Sequence, residues 1–204
     1  MINYIDLWVK KIDDKLLETA YKLGYRVLGV EGLNKKTIKK NHVLLVNKII
    51  VSAKTKKELK KKLEGIKTRS VLVGVRPLSI EVARMAAHDK RIDTIIIDDE
   101  TLYYIDKTQI HVMKYYRKPL ELPLSVFLSL STRKKAMIYR RIKLYIDNNM
   151  PLLVSSMSKK WNELYEPVSM IYLLRELFEI PLKEALLTLT NYPLEILAYN
   201  GVKP

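Results

Sequence analysis

The stretch that decides the fold is RSVLVGVRPLSIEVARMAA, residues 69–87. It contains three consecutive apolar residues, Val71 to Val73, as expected for a parallel strand that is covered on both faces. Ser79 then supplies a residue type that caps helices, and apolar residues follow it at helical spacing. The stretch therefore predicts one βα unit, with a strand over Arg69–Val75 and a helix after it.

The same alternation of a short apolar run and an amphipathic segment repeats along the chain, which is typical of an α/β protein. The other predicted strands are Met1–Val9, Tyr25–Val30, Val43–Ser52, Asp93–Ile97, Leu120–Leu124 and Leu152–Ser155. Helices are predicted after Asp13 or Asp14, over Leu33–Lys40, after Thr55, over Thr132–Asn148, and from Pro167, Leu182 and Tyr192.

Seven strands with intervening helices fit either an open doubly wound sheet or a closed barrel. An open sheet that binds nucleotides usually carries a glycine-rich turn after its first strand. The six glycines of this chain form neither G-x-G-x-x-G nor a phosphate-binding P-loop. We therefore expect a TIM-barrel-like α/β fold with about seven parallel strands, built as a single domain over residues 1–204.

The charge of the chain is strongly positive. Its 37 lysine and arginine residues exceed its 22 aspartate and glutamate residues, so the formal net charge is +15. Residues 101–150 carry 10 basic and 3 acidic residues, whereas residues 151–204 carry 5 and 6. A surface of this kind attracts polyanions, and the charge therefore predicts a nucleic-acid partner.

The chain contains no cysteine, which excludes disulfides and cysteine-ligated zinc or iron–sulfur sites. Met1 to Lys10 lack the apolar run and cleavage site of a signal peptide. The longest apolar runs fall well short of the ~20 residues that span a bilayer. We therefore expect a cytoplasmic protein with no membrane partner.

Cations near aromatic rings form the candidate RNA-binding site, because cations bind phosphates and rings stack on unpaired bases. Arg76 is included because it ends a strand at the expected mouth of the barrel, where its guanidinium could bind a phosphate through two hydrogen bonds. A solvated surface is the alternative for each of these residues. The predicted RNA contacts are Arg76, Lys107, His111, Lys114, Arg117, Lys118, Arg133, Lys134, Arg140 and Arg141.

The sequence offers little for catalysis by this chain alone. Its histidines, at 42, 88 and 111, are isolated in sequence, and no serine lies in a G-x-S-x-G motif. Asp98, Asp99 and Glu100 follow the fifth strand, where they could either bind magnesium or begin a helix at its positive end. We predict no catalytic residue and no cofactor in this chain.

Six segments, each weak alone, stand in an order that is specific as a set. They are Tyr4-Ile5-Asp6-Leu7, Val75-Arg76-Pro77, Glu81-Val82-Ala83-Arg84-Met85-Ala86-Ala87, Asp89-Lys90-Arg91-Ile92-Asp93, Leu153-Val154-Ser155-Ser156 and Asn191-Tyr192-Pro193-Leu194-Glu195-Ile196-Leu197. In this order they resemble protein component 3 of archaeal ribonuclease P. The chain departs from the family pattern at Ser155-Ser156-Met157 and at Tyr165-Glu166-Pro167.

The resemblance implies a seven-stranded barrel related to the polymerase-and-histidinol-phosphatase metallohydrolases, without their metal ligands. It implies a role in tRNA maturation, in which the ribonuclease P RNA removes the 5′ leader of precursor tRNA and itself requires Mg²⁺. The implied partners are that RNA, a small ferredoxin-like protein subunit, commonly in a heterotetramer, and the other ribonuclease P proteins.

Two other functions stay open at this point. One is an autonomous metal-dependent phosphoesterase on the same barrel, and the other is an assembly scaffold that touches RNA only indirectly. The near-neutral segment Tyr165–Tyr199 could bind the partner protein, but we favour its packing onto the barrel as a closing element.

Overall fold

The computed structural model describes residues 3–66 and 71–203. Its strands are β1 (Tyr4–Val9), β2 (Tyr25–Glu31), β3 (Thr37–Lys40), β4 (Val43–Ala53), β5 (Leu72–Pro77), β6 (Thr94–Ile96), β7 (Leu120–Pro123) and β8 (Leu152–Ser155). Seven of them are parallel and lie side by side in the order β1-β2-β4-β5-β6-β7-β8. The predicted strand residues Met1, Ile2, Arg69 and Ser70 lie outside the described residues.

The two ends of this sheet meet, so the strands form a nearly closed barrel. The backbone N–H of Met157, just after β8, donates to the Trp8 carbonyl at 2.8 Å, and that of Lys10 donates to the Ser158 carbonyl at 2.8 Å. The Ile5 N–H donates to the Leu189 carbonyl, also at 2.8 Å. The prediction of a barrel is therefore confirmed, and the open sheet is excluded.

Helices surround the barrel, and local capping determines where several of them begin. The helices are α1 (Asp14–Lys22), α2 (Lys56–Glu64), α3 (Ile80–His88), α4 (Lys107–Tyr116), α5 (Leu124–Ser129), α6 (Thr132–Asp147), α7 (Pro167–Phe178), α8 (Leu182–Leu187) and α9 (Asn191–Tyr199). The side chains of Asp13, Thr55 and Ser79 each accept a hydrogen bond from the backbone three residues ahead, as predicted. Helices α4 and α5 were not predicted from the sequence.

The predicted helix over Leu33–Lys40 is wrong. Thr37–Lys40 is instead β3, which runs antiparallel to β4 and pairs Lys40 with Val43. Asn41 and His42 form the turn between them with φ angles of 48° and 62°. Two consecutive left-handed residues are what the tightest hairpin connection requires, and asparagine tolerates that conformation. The lysines of this segment are therefore presented on a β-hairpin.

The last helix closes the amino-terminal end of the barrel. Ile196 and Leu197 of α9 belong to one buried cluster with Ile5 and Leu7 of β1, and this cluster also contains residues of β2, β4, β5 and β8. In α7, the predicted apolar stripe is buried within the main core, as Leu174 and Phe178 show. The prediction that the final segment packs onto the barrel is confirmed.

Gly29 permits an irregular segment in the pairing of β1 with β2. The pairing of these strands shifts register between Asp6 and Val9, and the Leu7 carbonyl lies so close to Gly29 that a Cβ there would stand 2.2 Å from its oxygen. Within the irregular segment, Trp8 is buried and its ring lies 5.4 Å from the ammonium group of Lys48. The glycine thus allows β1 to bend and to hold Trp8 in this position.

Among the described residues, no helix is long and apolar enough to cross a membrane.

Candidate nucleic-acid interface

A buried ion pair connects opposite strands of the barrel. Lys48 of β4 donates to both carboxylate oxygens of Glu121 of β7 at 2.6 Å, and the two side chains are 1% and 0% exposed. The Thr94 hydroxyl of β6 donates to the same carboxylate at 2.7 Å. Each charge is therefore compensated by its partner, by hydrogen bonds and, for Lys48, by the Trp8 ring.

Asp98, Asp99 and Glu100 lie at the carboxyl-terminal mouth of the barrel and are engaged by cations. The Arg76 guanidinium donates to Asp98 at 2.6 Å and to Glu100 at 3.0 Å, and Lys134 lies 3.4 Å from Asp99. Asp98 is buried and also accepts backbone N–H groups of the turn that follows it. Of the two roles left open by the sequence, the contacts support local capping, although the capped segment is a turn and not an α-helix.

Arg76 is predicted to bind a phosphate, but here its charge is already balanced. Burial lowers the pKa of Arg76, but the hydrogen bond from its side chain to Asp98 and the neighbouring carboxylates raise the pKa overall. A phosphate at this place would have to displace carboxylates that already accept from the guanidinium.

In the described segments, no group of three or more histidine, aspartate or glutamate side chains is arranged to hold a metal ion.

Asp6 is a buried carboxylate next to the closure of the barrel. It accepts hydrogen bonds from the backbone of Trp8 at 3.0 Å and of Ser156 at 3.2 Å. Burial raises the pKa of Asp6 to about 6, although these donors act in the opposite direction. Because the folded pKa lies above the unfolded one, the stabilisation linked to this proton is complete below about pH 4 and is lost as the pH rises through about 6.

We predict that Asp6→Asn removes this pH dependence. The free energy of unfolding of the variant, minus that of the unmodified chain, should rise by on the order of 2 kcal/mol between pH 4.5 and 7.5. Urea unfolding at a series of pH values measures this difference. Ile138→Val, a buried change without a titrating group, is the control and should give a constant difference. A constant difference for Asp6→Asn would contradict the prediction.

The loops at the amino-terminal ends of β6, β7 and β8 enclose a groove of about 970 Å³. We call it the amino-end groove. It is lined by cations, aromatic rings and amide side chains, among them Lys90, Lys114, Arg117, His88, Tyr116, Tyr192, Tyr199, Asn148 and Asn149. It lies at the end of the barrel opposite to Arg76, since parallel strands share the same direction.

The helix that brings Lys114 and Tyr116 to the groove is fixed at its other end by polar contacts. Asp106 caps α4 by accepting the Gln109 N–H at 2.6 Å. Arg84 of α3 donates to Asp106 at 2.8 Å and to the Gln109 side chain at 2.6 Å. At the groove, α4 ends at Tyr116 and is followed by Arg117, whose backbone has φ 50°. These contacts determine where the cations of α4 stand.

Lys118 belongs to the floor of the groove and not to its surface. It is 8% exposed, and its ammonium group donates to the backbone carbonyls of Asp89, at 3.0 Å, and of Ile92. Burial lowers the pKa of Lys118, which Asp93 and Asp89 partly offset. Lys118, a predicted RNA contact, therefore uses its ammonium group to hold together the loops before β6 and β7, and its contact with RNA stays a prediction.

The other predicted contacts fall into three sets, at the mouth of the barrel, at the amino-end groove, and along α4 and α6. Arg76 and Lys134 lie at the mouth of the barrel in ion pairs. Lys114 and Arg117 line the amino-end groove. Exposed positions along α4 and α6, which pack side by side, carry Lys107, His111, Arg133 and Arg140, while Arg141 is half-buried. Whether any of them binds RNA stays a prediction.

Sequence reasoning missed two basic surfaces. The first is the contribution of Lys90, Tyr199 and the asparagine pair to the groove, which comes from loops far apart in sequence. The second is the hairpin of β3, where Lys35, Lys36, Lys39 and Lys40 are exposed. The groove brings the predicted contacts Lys114 and Arg117 together with residues that were not predicted, and the run Asn148-Asn149 shortly before β8 was a visible signal in the sequence.

Comparison with known proteins gives a clear likeness of fold. No protein-family model and no curated protein matches the chain. Among solved structures, the chain is similar to a chain in a cryo-EM structure of archaeal ribonuclease P with mature tRNA. The two share 13% sequence identity with a TM-score of 0.77, over 96% of this chain and 90% of the other. The protein therefore has the barrel fold of that ribonuclease P chain.

Proposed function

We propose that this chain is a protein subunit of the ribonuclease P ribonucleoprotein, in which it binds and supports the RNA that removes the 5′ leader of precursor tRNA. The observation that carries the proposal is the likeness of fold to a ribonuclease P chain over 96% of this chain. The order of the sequence segments that resemble the family points independently to the same complex.

The distribution of charge supports an RNA partner. The net charge is +15, and residues 101–150 carry the largest excess of cations. Lys114 and Arg117 at the amino-end groove form no salt bridge among the described residues, in contrast to the paired Arg76. Contacts of this kind recognise phosphates and shape more than base sequence.

The proposal includes the partners and the division of labour. The chain would act in the cytoplasm with a small ferredoxin-like protein subunit, as a heterotetramer, alongside the other ribonuclease P proteins. The RNA, with its Mg²⁺, would perform the cleavage, and this chain would contribute no catalytic residue. Engagement of Asp98, Asp99 and Glu100 by Arg76 and Lys134 supports that assignment.

Reconstitution tests the proposal. The ribonuclease P RNA would be assayed for cleavage of precursor tRNA at limiting Mg²⁺, alone, with this chain, and with this chain plus the small subunit. We expect the two proteins together to raise the cleavage rate by about tenfold or more, because binding that favours the active RNA shifts its folding equilibrium. This chain without RNA should cleave nothing.

Two results would contradict the proposal. The first is a cleavage rate that does not change when both proteins are added. The second is stoichiometric zinc, manganese or iron in the purified chain together with turnover of phosphoesters without RNA, which would indicate an autonomous phosphoesterase. Elemental analysis and a generic phosphoesterase assay give that second readout.

A further inference from the structure

We propose that the amino-end groove binds an unpaired nucleotide of a single-stranded RNA segment, with its base on an exposed tyrosine and its phosphates on Lys114 and Arg117. The inference rests on the proposed function only for the choice of RNA as the source of the nucleotide. The residues that carry it lie on α4, on α9 and in the loops before three strands. Most of these residues are not among the RNA contacts predicted from the sequence.

Two tyrosines present rings to the groove from different helices. Tyr116 of α4 is 47% exposed, and Tyr199 of α9 is 71% exposed. Tyr116 contacts the edge of Tyr115 at 4.9 Å between ring centroids and lies 5.5 Å from His88, so its position is supported while almost half of it meets solvent. Exposed rings beside cations are the combination on which single-stranded bases stack.

The cations of the groove are available to a ligand. In the part of the chain that the structure describes, Lys90, Lys114 and Arg117 form no salt bridge, and Lys114 donates to the Asn148 side chain at 3.1 Å. Of the two lining carboxylates, Asp93 is buried and accepts from Asn200 at 2.7 Å and from the Val73 backbone at 2.7 Å. The other carboxylate, Glu195, is exposed, so the groove presents three exposed cations against one exposed carboxylate and its net charge toward a ligand is positive.

Amide groups give the groove contacts suited to the edge of a base. Asn148 and Asn149 lie side by side before β8. The Asn148 amide already accepts from Lys114 and donates to the Leu144 carbonyl at 2.9 Å, so the exposed Asn149 side chain, which can both donate and accept, is the one suited to a base. Asn149 and Arg117 are also held with φ angles of 57° and 50°. Each lies where a helix ends, Arg117 after α4 and Asn149 after α6, and a left-handed residue there is a common way to terminate a helix.

The dimensions favour a nucleotide over a duplex. A volume of about 970 Å³ lies within the range of small-ligand clefts, which enclose most of the ligand. Double-stranded RNA is instead recognised across its shallow minor groove by contacts spread along the helix. A base that leaves its stack can enter such a groove, whereas a paired base cannot.

The test compares two pairs of tyrosine substitutions. The groove variant is Tyr116→Leu with Tyr199→Leu, and the control is Tyr103→Leu with Tyr172→Leu, whose rings are 55% and 49% exposed outside the groove. Binding of a fluorescein-labelled single-stranded hexauridylate and of an RNA duplex would be measured at low salt by fluorescence anisotropy, with thermal unfolding as a check of folding.

We expect the groove variant to bind the hexauridylate about tenfold or more weaker than the unmodified chain. Duplex binding should change little, and the control variant should match the unmodified chain with both probes. The inference is overturned if the folded groove variant binds the hexauridylate as tightly as the unmodified chain, or if its only defect is weaker binding of the small protein subunit. Failure of the proposed function is read separately, as unchanged cleavage in the reconstitution.

Discussion

Lys48→Met is expected to lower the free energy of unfolding by about 3–5 kcal/mol, because it leaves the Glu121 carboxylate buried without its cation. The pair spans the barrel from β4 to β7, and neither side chain has access to solvent. Methionine fills a similar volume, so the loss should come from the uncompensated charge and not from a cavity. Urea unfolding at pH 7 measures it.

Two further variants separate charge from packing. Lys48→Met combined with Glu121→Leu should regain most of the lost stability, since it removes the orphaned charge as well. Lys62→Met breaks an exposed ion pair with Glu58 on α2 and should lower the free energy of unfolding far less than Lys48→Met does. If the double variant were no more stable than Lys48→Met alone, the destabilisation would have to come from packing.

Affinity for the ribonuclease P RNA is expected to fall by about a thousandfold or more between 50 and 200 mM salt. Neutralising about six or more phosphates with lysine and arginine releases bound counterions, and salt opposes that release. Lys114→Ala with Arg117→Ala should flatten the slope of log affinity against log salt by about 0.7–0.9 for each phosphate that the variant no longer neutralises. Filter binding across a salt series gives both quantities.

The matched control removes two lysines from another exposed surface. Lys57→Ala with Lys60→Ala lowers the net charge by the same amount on α2, whose Leu59 and Leu63 are buried while its lysines face solvent. We expect its slope of log affinity against log salt to stay close to that of the unmodified chain. Exposed charges that lie more than about 10 Å from a phosphate are largely screened from it. Equal slopes for the two double variants would argue against phosphate contacts at the groove.

Features with a local physical cause could be predicted from the sequence. Asp13, Thr55 and Ser79 cap helices through contacts within three residues, and the strand Leu152–Ser155 is a short apolar run. The closed barrel could not be predicted from local spacing alone. It was inferred because the chain lacks the glycine-rich turn that is typical of an open nucleotide-binding sheet.

Features that depend on tertiary contacts could not be predicted. Lys39 and Lys40 look equally suited to a helix or a strand, and pairing with β4 decides between them. The burial of Lys118 depends on carbonyls about 26 to 29 residues earlier in the chain. The groove combines loops whose proximity follows only from the parallel order of β6, β7 and β8.

The packing of the barrel interior around Trp8 depends on the residue at position 29. The space beside the Leu7 carbonyl is too small for even one methyl group. The irregular pairing of β1 with β2 therefore depends on a residue without a side chain. That pairing determines the position of Trp8, and the Trp8 ring in turn contacts the ammonium group of Lys48 two strands away. A protein engineer should therefore treat Gly29 as fixed, and a sequence with alanine in its place would need a differently built first strand.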